Sequence, residues 1–406
     1  MTTGTLVICG HGMVAQRLLE QLHSLGHGFK RIVVIGGEPD PAYNRVLLSS
    51  VLAGDASPDQ IRLKDDQWFA QAGIDCVRGD PVTGIDRNRR IVSTEGGRTI
   101  GWDALVIATG ARAASLNLPG EDLEGVHSFR DLRDTRRLIE LSKQHRRAVV
   151  IGGGFLGLEA AEGLRSRGMN VTVVHRNKGL LNRQLDPTGS ELLAAQLTDR
   201  GLHIRTGCSP DALLGKQRVR AVQLDDGSLL STDLVVLASG ITPNHQLGVD
   251  AGLDCDRGIL VNPGLQTSDP EIFALGECCQ LGDHTFGLVD PGYQQARVLA
   301  ERLSNPQASS RFEPEVEPTR LKISGIPIFS CGQTHSDADT ESMLWRDYDQ
   351  DRYCRLFIRG KHLIGAVLFG DTTDGPWYSE QIRQRQDITP WRASLAFGRD
   401  YCENAA

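Results

Sequence analysis

The chain lacks the features that mark several protein classes. No apolar run is long enough to span a bilayer, which takes about 20 residues. Lysine and arginine are scattered through 406 residues of net charge -7, so no basic face points to nucleic acid. The first apolar stretch has neither a basic region before it nor a small-residue cleavage site after it, which predicts a strand instead of a signal peptide. We expect a cytoplasmic protein without membrane or nucleic-acid partners.

Grouped cysteines are also missing. None of the nine forms a C-x-x-C motif, and none are clustered as zinc or iron–sulfur ligands. We therefore expect no metal site, and reduced thiols throughout. We expect no disulfide between the neighbours Cys278 and Cys279, because adjacent cysteines make a strained bridge. Residues 39–75 contain no cysteine at all.

Two glycine fingerprints are present, at residues 10–15 (GHGMVA) and 152–157 (GGGFLG). Each follows an apolar strand pattern and opens a helical one. The first glycine allows a tight turn, the second lets the backbone approach a pyrophosphate, and the third small residue lets helix and strand pack closely. Either motif alone could be an ordinary glycine-rich turn. The pair, in the same context, predicts two dinucleotides bound by one chain and electron transfer between them.

The rest of the chain predicts an α/β fold built around these motifs. The βαβ patterns at 6–35 and 149–174 are each followed by a later strand, at 105–107 and 234–237, that ends in a glycine turn. This near-repeat predicts two Rossmann-like dinucleotide-binding domains, one inserted in the other. A small α+β C-terminal domain follows the linker 311–318 (RFEPEVEP), with strands at 353–358 and 363–368 around a Gly-Lys turn. The first dinucleotide-binding domain is predicted to consist of residues 1–112 together with 241–312. The second, inserted one is predicted at 113–240, and the C-terminal domain at 313–406.

These motifs resemble the two-dinucleotide flavoprotein family of pyridine-nucleotide oxidoreductases. The resemblance includes the turn 108–110 (ATG) and the motif 266–277 (QTSDPEIFALGE), in which Glu277 replaces the usual aspartate. It implies FAD at the first fingerprint, NADH or NADPH at the second, and the flavin ribityl chain beside Glu277. Glu38 is a candidate ribose acceptor, Arg45 is a candidate contact for the FAD phosphate or adenine, and Arg112 is a further candidate FAD contact. The alternatives are that Glu38 is a solvated carboxylate in a loop and that Arg45 and Arg112 are surface arginines.

The implied site residues form two sets. The FAD set is Gly10, Gly12, Met13, Val14, Ala15, Glu38, Arg45, Ser50, Ala108, Thr109, Gly110, Arg112, Gly276 and Glu277. The NAD(P)H set is Gly152, Gly154, Phe155, Leu156, Gly157, Glu159, His175, Arg176 and Gly240, with Glu159 also the candidate catalytic residue. His175 and Arg176 stand where NAD-specific sites place an acid, which favours NADPH or the use of both coenzymes.

A closer resemblance is to the flavin-reductase portion of assimilatory NAD(P)H nitrite reductases and to electron-transfer subunits of assimilatory nitrate reductase. It is carried by residues 41–50, 182–186, 276–278 and 287–293. Rubredoxin and ferredoxin reductases usually have lysine where this chain has Ser50, and that lysine pairs with a glutamate at the position of Glu159. Disulfide reductases place a reactive cysteine within the segment that here has none.

The expected function is therefore an FAD-dependent NAD(P)H oxidoreductase. It would pass hydride to the flavin and single electrons to a separate iron–sulfur, molybdenum or haem protein in nitrate or nitrite assimilation, since we expect no iron–sulfur or sirohaem segment in this chain. A rubredoxin- or ferredoxin-type reductase is the nearest alternative. A flavoprotein redox sensor is an alternative of another class.

Overall fold

The computed structural model describes residues 4–305, 307–314, 318–323 and 325–403. The ends of the predicted domains at 1–3 and 404–406, and residues 315–317 of the predicted linker, lie outside that range. The helices described are α1 Met13–Leu25, α2 Leu48–Ala53, α3 Asp66–Ala72, α4 Leu132–Gln144, α5 Phe155–Ser166, α6 Pro187–Asp199, α7 Gln246–Asp250, α8 Val289–Ser304, α9 Gly375–Gln384 and α10 Arg399–Glu403.

The strands of the described residues fall into seven sheets or ribbons. In chain order they are β1 Thr5–Cys9, β2 Arg31–Ile35, β3 Ile74–Val77, β4 Val82–Asp86, β5 Ile91–Thr94, β6 Thr99–Gly101, β7 Ala104–Ile107, β8 Ala111–Ala113, β9 Val126–Ser128, β10 Arg147–Ile151, β11 Asn170–His175, β12 His203–Thr206, β13 Pro210–Gly215, β14 Val219–Leu224, β15 Leu229–Ser231, β16 Leu234–Leu237, β17 Ile241–Pro243, β18 Ile259–Leu260, β19 Ile272–Ala274, β20 Cys279–Leu281, β21 His284–Thr285, β22 Thr319–Ile323, β23 Ile326–Gly332, β24 Glu341–Asp347, β25 Arg352–Arg359 and β26 His362–Phe369.

The chain forms two compact units. The first comprises the residues up to Ala114, Arg130–Leu132 and Gly240–Pro314. Its parallel sheet has the order β19-β7-β1-β2-β3. The central strand β1 is buried from Leu6 to Cys9, as expected for a parallel sheet covered on both faces. Helices α1 and α8 pack together in this unit. Because β19 comes from beyond residue 240, the unit is assembled from separated parts of the chain.

The second unit comprises Ser115–Phe129, Arg133–Ser239 and the described residues from Pro318 onward. Its parallel sheet has the order β12-β11-β10-β16-β9, so β16-β10-β11 repeats the arrangement of β7-β1-β2 in the first unit. This confirms the predicted α/β class with two Rossmann-like sheets. The parallel strands place both fingerprints at the carboxyl end of the first strand of a βαβ element, where such folds bind ligands.

The C-terminal part of the second unit is an antiparallel sheet of order β22-β23-β26-β25-β24, against which α9 packs. The predicted hairpin is present, with β25 and β26 joined at Gly360-Lys361. By contact this sheet belongs to the same compact unit as the second parallel sheet. The three-domain boundaries remain a prediction. Among the described helices, none combines the length and apolar character needed to cross a membrane.

Candidate functional site

The first glycine of each fingerprint is required by the backbone. Gly10 has φ +110°, and a Cβ there would lie 2.1 Å from the carbonyl oxygen of Ala108. Gly152 has φ +132°, and its Cβ would lie 2.2 Å from the carbonyl oxygen of Ala238. Each glycine thus sits against the turn that ends the neighbouring strand, β7 or β16. Only glycine satisfies both the left-handed conformation and the close approach.

The second glycine of each fingerprint faces open space instead. Among the residues that the structure describes, and apart from the adjoining chain, no atom lies within 4 Å of a Cβ placed on Gly12 or on Gly154. Both residues are extended N-caps, of α1 and α5, and no side chain in the described part of the chain caps either helix. The first-turn N–H groups of Met13, Val14, Phe155 and Leu156 therefore belong to two helix N-termini that suit a phosphate group.

The third small residue brings helix and turn together. A Cβ on Gly157 would lie 1.9 Å from the carbonyl oxygen of Gly152. Its counterpart Ala15 is 1% exposed on α1. The residues at both fingerprints therefore fit a pyrophosphate: tight at the first and third positions, and open at the second.

The turn after β7 is held by Asn244. Thr109 donates its hydroxyl to the carbonyl oxygen of Asn244 at 2.7 Å, and the Asn244 amide donates to the carbonyl oxygen of Thr109 at 3.0 Å. Arg112 is exposed and donates to the Asn244 side chain at 3.3 Å. Gly110 has φ +66° and lies beside Glu277.

Glu38 and Arg45 form an ion pair, and Tyr43 completes the group. Burial raises the pKa of Tyr43, so its hydroxyl keeps its proton and donates to Glu38 Oε2 at 2.7 Å. The Arg45 side chain also donates to the carbonyl oxygen of Arg130 at 3.1 Å, and the Arg45 backbone N–H donates to the Met13 sulfur at 3.3 Å. These contacts bring the predicted ribose acceptor and the predicted phosphate contact into one cluster beside the start of α1.

Glu277 pairs with Arg130 in a half-buried ion pair. The preceding Gly276 has φ +81°, its N–H donates to Gln295 Oε1 at 2.7 Å, and the nearest atoms to an added Cβ belong to Val14. The end of the motif 266–277 thus lies next to the first turn of α1. The longer glutamate is accommodated by the guanidinium of Arg130.

The remaining predicted residues are placed as follows. Ser50 is half-buried on α2, and its carbonyl oxygen accepts from Gly54, Asp55 and Ala56. Glu159 is half-buried in the second turn of α5. Gly240 is exposed, has φ +143°, and accepts from the Ala114 N–H at 3.1 Å. The roles of these residues at the cofactors are predictions.

His175 faces the second fingerprint. Its Nδ1 accepts from the Gly153 N–H at 3.1 Å, and its Nε2 lies 3.3 Å from Asn182 Oδ1. Burial lowers the pKa of His175, and the nearby Arg176 lowers it further. The ring is therefore neutral at pH 7. Arg176 itself is exposed at the end of β11.

Arg130, Tyr43 and Asn244 were not predicted as site residues. Arg130 follows the short strand β9 and Asn244 follows β17, so each stands at a strand end. That position is the one local signal that Arg130 and Asn244 carry, and many residues of an α/β chain share it. Arg130 and Asn244 matter through their bonds to Glu277 and Thr109, which are distant in the sequence. Tyr43 bonds to Glu38, which is five positions away.

Comparison with known proteins adds to this geometry. The family model described as pyridine nucleotide-disulphide oxidoreductase matches residues 4–298, and that of the rubredoxin NAD+ reductase C-terminal domain matches residues 318–386. The nitrite reductase [NAD(P)H] of Bacillus subtilis is 38% identical over 95% of this chain and 48% of its own length. The assimilatory nitrate reductase electron transfer subunit of the same organism is 37% identical over 95% of this chain and 50% of its own.

Among solved structures, a ferredoxin reductase from Rhodopseudomonas palustris matches with a TM-score of 0.88 and 26% identity, over 99% of each chain. The chain spans about half the length of the two curated relatives. Membership of the matched family implies FAD and a nicotinamide coenzyme, and both fingerprints have the geometry to hold their pyrophosphates. The chain belongs to the pyridine nucleotide-disulphide oxidoreductase family.

Proposed function

We propose that this chain takes electrons from NAD(P)H and delivers them singly to a separate acceptor protein in nitrate or nitrite assimilation. The observation that carries the proposal is the pair of equivalent turns, each tight at its first glycine and open at its second. FAD held at the first turn would accept a hydride from the nicotinamide and release electrons one at a time. The names of the relatives support the pathway, since both concern nitrate or nitrite reduction.

The protein residues would bind and orient the two nucleotides. We assign the FAD adenosine ribose to Glu38, the phosphates to Gly12 with Arg45, and the ribityl chain to Glu277. The NAD(P)H pyrophosphate is assigned to Gly154 and the first turn of α5. Glu159 is kept as the candidate catalytic residue at the nicotinamide.

We further propose NADPH as the favoured coenzyme, because Arg176 is an exposed cation and no acid stands at the end of β11. The acceptor is proposed to carry an iron–sulfur, molybdenum or haem centre. We expect the protein to work in the cytoplasm, where thiols stay reduced, which agrees with nine free cysteines.

The test is anaerobic stopped-flow mixing of the FAD-loaded protein with NADH or NADPH, followed by mixing with a ferredoxin, a rubredoxin and a nitrite reductase sirohaem domain. We expect rapid loss of oxidised-flavin absorbance, and reoxidation by a metal-centre protein that is faster than by a disulfide. If neither coenzyme reduces the flavin, the proposed function is wrong.

The same experiment decides between the alternatives. Reoxidation by rubredoxin or ferredoxin, with no transfer to the sirohaem domain, would favour a reductase of that type, which the ferredoxin reductase structure also favours. Slow reduction that no acceptor accelerates would favour a redox sensor.

A further inference from the structure

The segment 177–186 connects the second fingerprint to the C-terminal sheet, and we call it the coenzyme loop. It lies between β11 and α6, and it includes the NRQLD motif of residues 182–186. The function proposed above assigns this motif no role. All the contacts described below lie within the second compact unit.

At one end, the coenzyme loop holds the backbone of Gly153, directly at the carbonyl oxygen and through His175 of β11 at the N–H. The Leu181 N–H donates to the carbonyl oxygen of Gly153 at 2.9 Å. The Gly153 N–H donates to His175 Nδ1, so that nitrogen must be unprotonated and the proton lies on Nε2. Nε2 then donates to Asn182 Oδ1, which also accepts from the Asn177 side chain at 3.0 Å.

At the other end, the loop is fixed to the C-terminal sheet through Asp186. This carboxylate is 1% exposed and caps α6 at the Gly189 N–H. Tyr353 and Arg355 of β25 donate to its Oδ2 at 2.7 and 2.9 Å. Thr334, which follows β23, donates to the carbonyl oxygen of Arg183 at 3.3 Å. A buried carboxylate that is paired in this way is costly to displace.

We propose that the C-terminal sheet positions the coenzyme's phosphate-binding turn through the coenzyme loop, with neutral His175 as the positioning residue that contacts the turn. The C-terminal domain thereby acquires a role in coenzyme binding. This inference rests on the proposed function, since it requires NAD(P)H to bind at the second fingerprint.

A positioning role differs from coenzyme selection in its consequences. His175 bonds to a backbone group that both coenzymes would share, so losing the bond should weaken NADH and NADPH equally. Protonation of His175 would place a donor opposite the Gly153 N–H donor. Arg176 is the charged neighbour that opposes this protonation, and the uncharged Asn182 and Gly153 groups face the ring from the loop and the turn. Apparent coenzyme affinity should therefore fall as pH drops through the pKa of His175, which lies below the ordinary histidine value of about 6.5.

The experiment measures flavin reduction in the FAD-loaded protein as a function of NADH and NADPH concentration, at pH 5.5 to 8. We expect His175→Leu to raise the KM for both coenzymes at least fivefold and by the same factor, with FAD content unchanged. His175→Asn places an amide oxygen near the Nδ1 position. It should restore most of the affinity at pH 7.5 and remove the rise in KM at low pH.

The link to the C-terminal sheet is tested by Tyr353→Phe, with Tyr378→Phe as its control. Both tyrosines are 1% exposed, but the Tyr378 hydroxyl bonds to the carbonyl oxygen of Leu395 within the C-terminal part. We expect Tyr353→Phe to raise both KM values at least threefold and Tyr378→Phe to leave them unchanged.

Failure of the inference can be told from failure of the proposed function. If NADH and NADPH do not reduce the wild-type flavin, the proposed function is wrong. If they do, and His175→Leu or Tyr353→Phe leaves both KM values at wild-type levels, the positioning role is wrong. A loss confined to NADPH would show that His175 contacts the 2′-phosphate and would also overturn it.

Discussion

At the residue scale, the two glycines of the first fingerprint have different tasks. Gly10 supports the fold, since its backbone is left-handed and a Cβ would meet the Ala108 carbonyl oxygen. Gly12 is extended and has open space around it, so the fold does not need a glycine there. The space at Gly12 is explained by the phosphate it is proposed to accommodate.

This difference predicts separate outcomes for two substitutions. Gly12→Val should give a folded protein without bound FAD, because the side chain fills the phosphate position. Gly10→Ala should lower the stability of the fold itself by about 1–3 kcal/mol or more, from backbone strain and the clash. Flavin absorbance and urea unfolding of both variants measure the two effects. A folded Gly12→Val variant with full flavin content would show that FAD is not held at this fingerprint.

Arg176 should decide coenzyme preference. A charge-assisted contact to a 2′-phosphate contributes about 1.5–3 kcal/mol, which is roughly tenfold to a hundredfold in affinity. We expect Arg176→Ala to raise the KM for NADPH at least about tenfold and to leave NADH nearly unchanged. The neighbouring exposed Lys178→Ala is the matched control. If wild type prefers NADH and Arg176→Ala changes neither KM, Arg176 is a surface residue.

His11 should make stability depend on pH. Burial lowers its pKa to about 4, and the ring contacts Gln16, Cys76 and Phe69. The unfolded chain protonates this histidine near pH 6.5. Between about pH 6.5 and 4 the unfolded state therefore binds more protons, and the free energy of unfolding falls by up to about 3 kcal/mol as pH decreases. Urea unfolding of wild type and His11→Gln across this range should show a smaller slope in the variant, and equal slopes would contradict the assignment.

At the element scale, the two βαβ elements repeat one geometry but should act on different nucleotides. Gly154→Val should retain FAD and lose reduction by NADH and NADPH, because only the open position before α5 is filled. Stopped-flow reduction measures the loss, and flavin content provides the internal control. Flavin reduction at the wild-type rate in Gly154→Val would contradict the assignment of residues 152–157 to the coenzyme.

At the scale of the whole molecule, the thiols should take no part in electron transfer. Seven cysteines are buried and Cys76 and Cys255 are half-buried, and burial raises the pKa of Cys9 and of Cys354 to about 12. Such thiols are poor nucleophiles. Flavin reduction by NAD(P)H should therefore be unchanged after iodoacetamide treatment of the folded protein. Activity lost without unfolding would place a cysteine in the mechanism.

The local parts of this protein were predictable because short-range geometry dictates them. A tight turn, an open N-cap and a small packing residue must occur in order within six positions, so Gly10, Gly12 and Ala15 could be identified from residue type and spacing. The same holds for Gly152, Gly154 and Gly157 and for the apolar strands before them. The hairpin of β25 and β26 followed from alternation around Gly360-Lys361 for the same reason.

Tertiary structure alone decided the contacts between residues distant in the chain. Arg130 meets Glu277 across 147 positions, and Tyr353 meets Asp186 across 167. No spacing rule links such pairs, because their approach depends on how strands from separated segments are ordered in a sheet. The orientation of His175 toward Gly153 is of this kind: the residue type at the end of β11 indicated a nucleotide site, but the coenzyme loop determines which way the ring faces.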